Sequence, residues 1–173
     1  MRILITGGLG HIGSAATQYF CDREDVSHVY VVDNLLTQRF CSLFGLQNKH
    51  KLTFKNIDVL DPLFHPMALS WGVTHIIHLA AITNAEASVG HTEELRKNNL
   101  GATNAILKLA ITSNSSIVFP SSTSVYGSQT EHVTEDNFEA FLNPQSPYAK
   151  IKIEEEELLR AAFVEGSVKG VIL

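Results

Sequence analysis

Cysteine, tryptophan and proline are scarce in this chain: two, one and five among 173 residues. Cys21 and Cys41 have no partner cysteines at metal-ligand spacing, so neither a disulfide framework nor a zinc site is expected. The eight histidines show no such spacing either, and no metal is expected. His75 and His78 flank a strand-like run and read as packing or surface residues. Long apolar runs are missing; none reaches the roughly 20 residues that a bilayer-spanning helix needs. Positive charge is in deficit, with thirteen Lys and Arg against eighteen Asp and Glu and a net charge of -5. That balance argues against nucleic acid or an anionic membrane as a partner. Arg2 is followed at once by a short strand-like run and then glycines, which is not the layout of a secretory leader. The expectation is a cytoplasmic protein with reduced thiols.

What is present points to a folded core: 45% of the residues are hydrophobic and 18% charged. Strand-like and helix-like patterns alternate along the chain. Ile3–Ile5, His28–Asp33, Leu52–Ile57, Thr74–Leu79, Ser116–Ser121 and Val168–Leu173 read as strands. Residues 11–22, a short helix capped by Asp61-Pro62 and running to Ser70, residues 92–112, and a helix capped by Ser146-Pro147 and running to Val164 lie between them. A Ser-, Thr-, Gly- and Asn-rich loop follows the fifth strand. Such alternation favours a parallel sheet with helices on both faces, an α/β doubly wound (Rossmann) fold of strand order 3-2-1-4-5-6. No linker divides residues 1–173, which read as one dinucleotide-binding domain.

In that fold, ligands bind beside the C-terminal end of the first strand. Thr6-Gly7-Gly8-Leu9-Gly10-His11-Ile12-Gly13 sits there, with Gly7, Gly10 and Gly13 at a spacing of three. The first glycine permits a tight turn, the second a close approach to a pyrophosphate, and the third close packing of helix on strand. A helix starting here aims free N–H groups and its positive dipole end at phosphates. Asp33 ends the second strand, where a carboxylate accepts from both ribose hydroxyls and repels a 2′-phosphate, favouring NAD over NADP. Asp58, after the third strand, either accepts from an adenine amino group or starts the Asp58–Asp61 turn.

Tyr148 and Lys152 are four apart on a helix and share a face. Free tyrosine, with a pKa near ~10, is a poor base at neutral pH. A neighbouring ammonium lowers that pKa, so the phenol can exchange a proton with a substrate hydroxyl. Ser122, at the end of the fifth strand, is placed to hydrogen-bond the same oxygen. Glu154–Glu157 reads as a solvated face of this helix, and Asn98 as solvent-facing.

Together with His78-Leu79-Ala80-Ala81, Ser121-Ser122, Val125-Tyr126-Gly127 and Ser146-Pro147-Tyr148-Ala149-Lys150-Ile151-Lys152, these motifs resemble the extended short-chain dehydrogenase/reductase family, particularly its nucleotide-sugar epimerases. The resemblance covers essentially the whole chain. It implies that Gly7, Gly10, His11, Ile12 and Gly13 line the pyrophosphate of a bound NAD. It also implies that Asp33 and Asn34 hold the ribose, that Asp58 and Val59 meet the adenine, and that Leu79, Ala80, Ala81 and Thr83 pass under the cofactor. Asn99 matches a helix asparagine near the nicotinamide half. Ser122, Tyr148 and Lys152 become the catalytic trio, with Tyr148 the acid/base and Lys152 also on the nicotinamide ribose.

In the same family, sugar dehydratases place Asp then Glu directly after the hydroxyl residue, and decarboxylases usually place Glu at the second position. This chain has Thr123 and Ser124, as the 4-epimerases do. The implied reaction is NAD-dependent epimerisation of a nucleotide-sugar through a transient 4-keto intermediate. The alternatives are a dehydrogenase/reductase or dehydratase of the family, or a cofactor-binding remnant without turnover. Family members run considerably longer and take much of their substrate pocket from segments after the sixth strand. The chain therefore reads as an N-terminal portion without its substrate domain. A homodimer is also implied, packed through the helices near 92–112 and 147–164, whose Leu100, Leu107, Ile151, Ile153 and Leu158 lie on more than one side.

Overall fold

A computed structural model describes residues 1–83, 90, 92–129, 132–134 and 141–173. Six strands form one parallel sheet: β1 (Arg2–Thr6), β2 (His28–Asp33), β3 (Leu52–Asn56), β4 (His75–His78), β5 (Ser116–Phe119) and β6 (Gly170–Ile172). Their order, 3-2-1-4-5-6, is the expected one. Among the described residues four α-helices intervene: α1 (His11–Asp22), α2 (Phe64–Ser70), α3 (Thr92–Ser113) and α4 (Pro147–Val164). The doubly wound arrangement follows from two-sided burial. Ile3 and Ile5 of β1 join Val29, Val31 and Cys21 on one face. Leu4 joins Val32, Phe64, Ile76, Ile106, Phe119 and Leu159 on the other. Alternate side chains of a strand point to opposite faces, so a central strand apolar throughout must be covered on both. Each fully buried side chain of this size stabilises the fold by roughly 2 kcal/mol.

Most element boundaries fall where the pattern puts them. The Ser146 hydroxyl accepts from the Ala149 N–H at 3.1 Å, with Pro147 opening α4. Asp61-Pro62 differs: it forms a turn ahead of α2, whose first residue is Phe64. Asp58 accepts from the Leu60 N–H and Asp61 from the Leu63 N–H, both at 2.8 Å. These two side-chain turns hold the backbone out of the helical ladder. The last three strands are shorter than their apolar runs, β6 covering Gly170–Ile172. Part of the loop after β5 lies outside the described residues.

The glutamate run of α4 is not a solvated face. Glu155 and Glu156 are 1% and 7% exposed. Four consecutive helical residues point around the whole circumference, so a helix packed on one side must turn some of them inward. Glu156 accepts from the Ser121 hydroxyl and pairs with Arg160 at 3.1 Å. Leu107 and Ile151 are likewise buried within the chain. Among the described residues no helix is long and apolar enough to cross a membrane.

Candidate active site

A cleft of about 520 Å³ opens across the C-terminal ends of β1, β2, β4 and β5. Its floor begins at the glycine turn. Gly7 has φ +65°, in the left-handed region, and a Cβ there would sit 2.7 Å from the Ala80 nitrogen. A Cβ on Gly13 would lie 2.5 Å from the Gly7 oxygen and 2.6 Å from the Gly8 Cα. The turn is thus pressed between β4 and α1 by backbone contacts that admit no side chain. Gly10 is the N-cap of α1, and no side chain caps it. Gly10, His11, Ile12 and Gly13 line the cleft, with the positive end of the helix dipole at their level.

Asp33 closes one side. Its Oδ1 accepts from the Leu35 N–H at 2.9 Å and its Oδ2 from the Leu9 N–H at 3.2 Å. Each oxygen keeps a second acceptor site for a ligand. Asp58 serves the turn and the cleft wall together. Its Oδ1 holds the Leu60 amide, and its Oδ2 accepts from Asn34 Nδ2 at 2.9 Å. Asn34, Asp58 and Val59 all line the cleft, as do Leu79, Ala80, Ala81 and Thr83.

Two expected residues stand off the wall. Asn99 is fully buried, and its amide grips the Ile82 backbone from both ends, Ile82 N–H to Oδ1 at 2.8 Å and Nδ2 to Ile82 O at 3.0 Å. It positions the strip after β4 rather than presenting a group to the cleft. Its neighbour Asn98, expected in solvent, is half-buried, lines the cleft and donates to Asn99 at 2.9 Å. Ser122 caps the 3-10 turn Thr123–Tyr126, accepting from the Ser124 N–H at 3.2 Å, and hydrogen-bonds the Tyr148 phenol. Ser121, not Ser122, reaches the wall.

Tyr148 and Lys152 both line the cleft. Lys152 is not among the groups that move the phenol, whose surroundings act in the direction opposite to the expected acidification. Burial pushes the Tyr148 phenol up, the Glu155 carboxylate pushes it further, and the Ser122 hydrogen bond offsets part of this. The Lys152 ammonium is engaged elsewhere. It lies 3.1 Å from Glu155 Oε2, 3.4 Å from Pro120 O and 4.2 Å from the Phe119 ring centroid. Sequence reasoning missed Glu155, although Tyr148, Lys152 and Glu155 occupy positions i, i+4 and i+7 of one helical face. It also missed the far end of the cleft, lined by Leu36, Thr37 and Arg39, and Ser121 with Pro120 near Lys152.

His78, almost wholly buried where it lines the cleft, lies between Thr6 Oγ1 at 2.7 Å and Thr103 Oγ1 at 3.2 Å. Burial, helped by the Lys152 ammonium, lowers its pKa from 6.5 to about 3. Below pH 6.5 the unfolded chain takes up a proton that the folded chain refuses. Stability from this group is complete above that pH and is lost as pH falls toward about 3. The slope is roughly 1.4 kcal/mol per pH unit. Urea unfolding at descending pH should therefore show a steeper loss for the wild type than for His78→Gln. Parallel profiles would remove His78 as the cause.

A glycine turn without room for side chains, an uncapped helix start, a strand-end carboxylate and a Tyr/Lys pair around one cleft define a dinucleotide-binding protein of the short-chain dehydrogenase/reductase type. The model of the NAD dependent epimerase/dehydratase family matches residues 3–173, and the chain belongs to that family. NAD is the family's cofactor, and the donor set of this cleft fits it. The UDP-glucose 4-epimerase of Yersinia enterocolitica is 29% identical over 92% of this chain and 48% of its own length. The D-erythronate dehydrogenase of Cupriavidus necator is 29% identical over 97% of this chain and 53% of its own. Among solved structures, UDP-glucuronic acid 4-epimerase from Bacillus cereus, in complex with UDP-glucuronic acid and NAD, superposes with a TM-score of 0.88 at 26% identity. That match covers 99% of this chain and 55% of the other. The chain thus spans about half the length of these relatives. Other relatives include a dTDP-D-glucose 4,6-dehydratase and a UDP-N-acetyl-alpha-D-glucosaminuronate decarboxylase.

Proposed function

We propose that this chain is the NAD-binding part of a nucleotide-sugar 4-epimerase. The turn after β5 carries the choice of reaction. Ser122, Thr123 and Ser124 present hydroxyls only, with Ser122 Oγ and Ser124 Oγ 2.8 Å apart. No carboxylate stands there to drive water elimination or decarboxylation. NAD, held in this cleft, would supply a reversible hydride acceptor. The protein's part is to seat the diphosphate on the amides of residues 10–13, hold a ribose at Asp33, and carry one proton between the substrate hydroxyl and the Tyr148 oxygen. Lys152 stabilises the phenolate, and Ser122 orients the phenol. Residues 1–173 are the dinucleotide-binding domain, and a homodimer through α3 and α4 is part of this reading.

A second reading, a dehydrogenase that releases its cofactor after one hydride step, draws on the resemblance to D-erythronate dehydrogenase over 97% of this chain. Purified protein incubated with NAD and a panel of UDP-sugars separates the two. The epimerase reading expects a 4-epimer with no net growth of the reduced-nicotinamide band. Net reduction of NAD favours the dehydrogenase. Tight NAD binding without conversion of any sugar leaves a cofactor-binding unit and rejects both as activities of this chain.

A further inference from the structure

A line of buried polar groups runs behind the cleft from β1 to α4. Thr103 Oγ1 donates to Glu155 Oε1 at 2.6 Å. With its only proton spent there, Thr103 must accept from His78 Nε2, at 3.2 Å. His78 Nδ1 is then the acceptor for the Thr6 hydroxyl, at 2.7 Å. Thr6 Oγ1 in turn accepts from the Leu79 and Ala80 N–H groups at 3.2 and 3.3 Å. Every donor in this chain points toward the Glu155 carboxylate. Its other oxygen, Oε2, faces the Lys152 ammonium as a charge pair without an aligned hydrogen bond.

A carboxylate buried this deeply is costly unless it is compensated. Here the compensation is a cation lining the cleft. Among the described residues, the titratable groups set against Glu155 are Lys152 and Tyr148 of α4 and His78 of β4. α3 presents the uncharged Thr103, and β5 places the Phe119 ring under Lys152. Glu154 and Glu156 turn elsewhere, to Arg96 and to Ser121 with Arg160. With His78 neutral, Glu155 is the charge set against Lys152, and it acts on the phenol in the opposite direction to that ammonium.

We propose that Glu155 is a positioning residue: as the buried counter-ion of Lys152 it holds that ammonium and opposes its pull on the Tyr148 phenol. The proposal rests on the reading of Tyr148 and Lys152 as the proton-transfer pair.

Tyrosinate absorbance, titrated on the cofactor-free chain, tests it. The Tyr148 signal is isolated by subtracting Tyr148→Phe measured in the same background. Glu155→Gln keeps a group for Thr103 to bond but removes the charge. The midpoint of Tyr148 is expected to fall by about one unit or more, roughly tenfold more phenolate at a given pH. A purely structural Glu155 would lower Tm and leave the midpoint where it was, and that result in a folded variant overturns the proposal. Should Gln prevent folding, Glu155→Asp retracts the charge by one methylene and is expected to move the midpoint part of the way; no movement again overturns it. Calorimetric binding of NAD is a separate readout. Its failure would undo the dinucleotide reading while leaving the cofactor-free titration to judge Glu155.

Discussion

Gly13→Val is expected to destabilise the fold by about 3 kcal/mol and to lower NAD affinity by roughly 100-fold or more. Even the first carbon of that side chain would lie 2.5 Å from the Gly7 oxygen and 2.6 Å from the Gly8 Cα. Both obstacles are backbone, so no rotamer change relieves them. Either α1 withdraws from the sheet or the turn Gly7–Gly10 is pushed into the cleft. Each displaces the amides of residues 10–13 from the phosphate position. For a chain of this size, 3 kcal/mol corresponds to a Tm lower by about 10 °C. Gly45→Ala is the matched control. Its φ is +75°, but nothing lies within 4 Å of the added carbon. It should cost only the left-handed strain, about 1 kcal/mol, and leave NAD affinity unchanged. Gly13→Val with affinity within twofold of the wild type would mean that the turn does not grip a diphosphate.

Tyr148→Phe should reduce hydride transfer by roughly 10²- to 10⁴-fold, the usual contribution of a placed acid/base. NAD binding should change by less than about threefold, because the aromatic ring and its packing against Leu95 and Ile151 are kept. Loss of the hydroxyl strands only the Ser122 hydrogen bond, worth about 1 kcal/mol. Burial and Glu155 hold the free phenol above its ordinary range. The base form is then a minority at neutral pH, so the oxidative half-reaction should accelerate as pH rises toward the phenol's midpoint. The measurement is single-turnover formation of the reduced-nicotinamide band with a nucleotide-sugar. Near-normal rates in Tyr148→Phe would falsify the acid/base assignment.

The parts of this molecule that obey short-range rules are legible from its residues alone. The glycine spacing before α1, the Ser146-Pro147 cap and the apolar runs at 3–5 and 28–33 each act within a few residues of themselves. The strand order follows because right-handed crossovers between parallel strands leave few alternatives.

The inside of the site obeyed other rules. Glu155, Thr103 and His78 lie far apart in sequence and meet only because α3 and α4 pack side by side across β4 and β5. Their pairing turned a presumed solvent face inward and took Lys152 from the phenol it was expected to acidify. Asn99 was drawn off the cleft wall by the Ile82 backbone, whose half-buried N–H and C=O both bond its side-chain amide. Sequence determined which groups this chain owns and roughly where each strand and helix stands. Only the packing of those elements decided which charges neutralise one another, because electrostatic energy depends on distances and burial that no local pattern encodes.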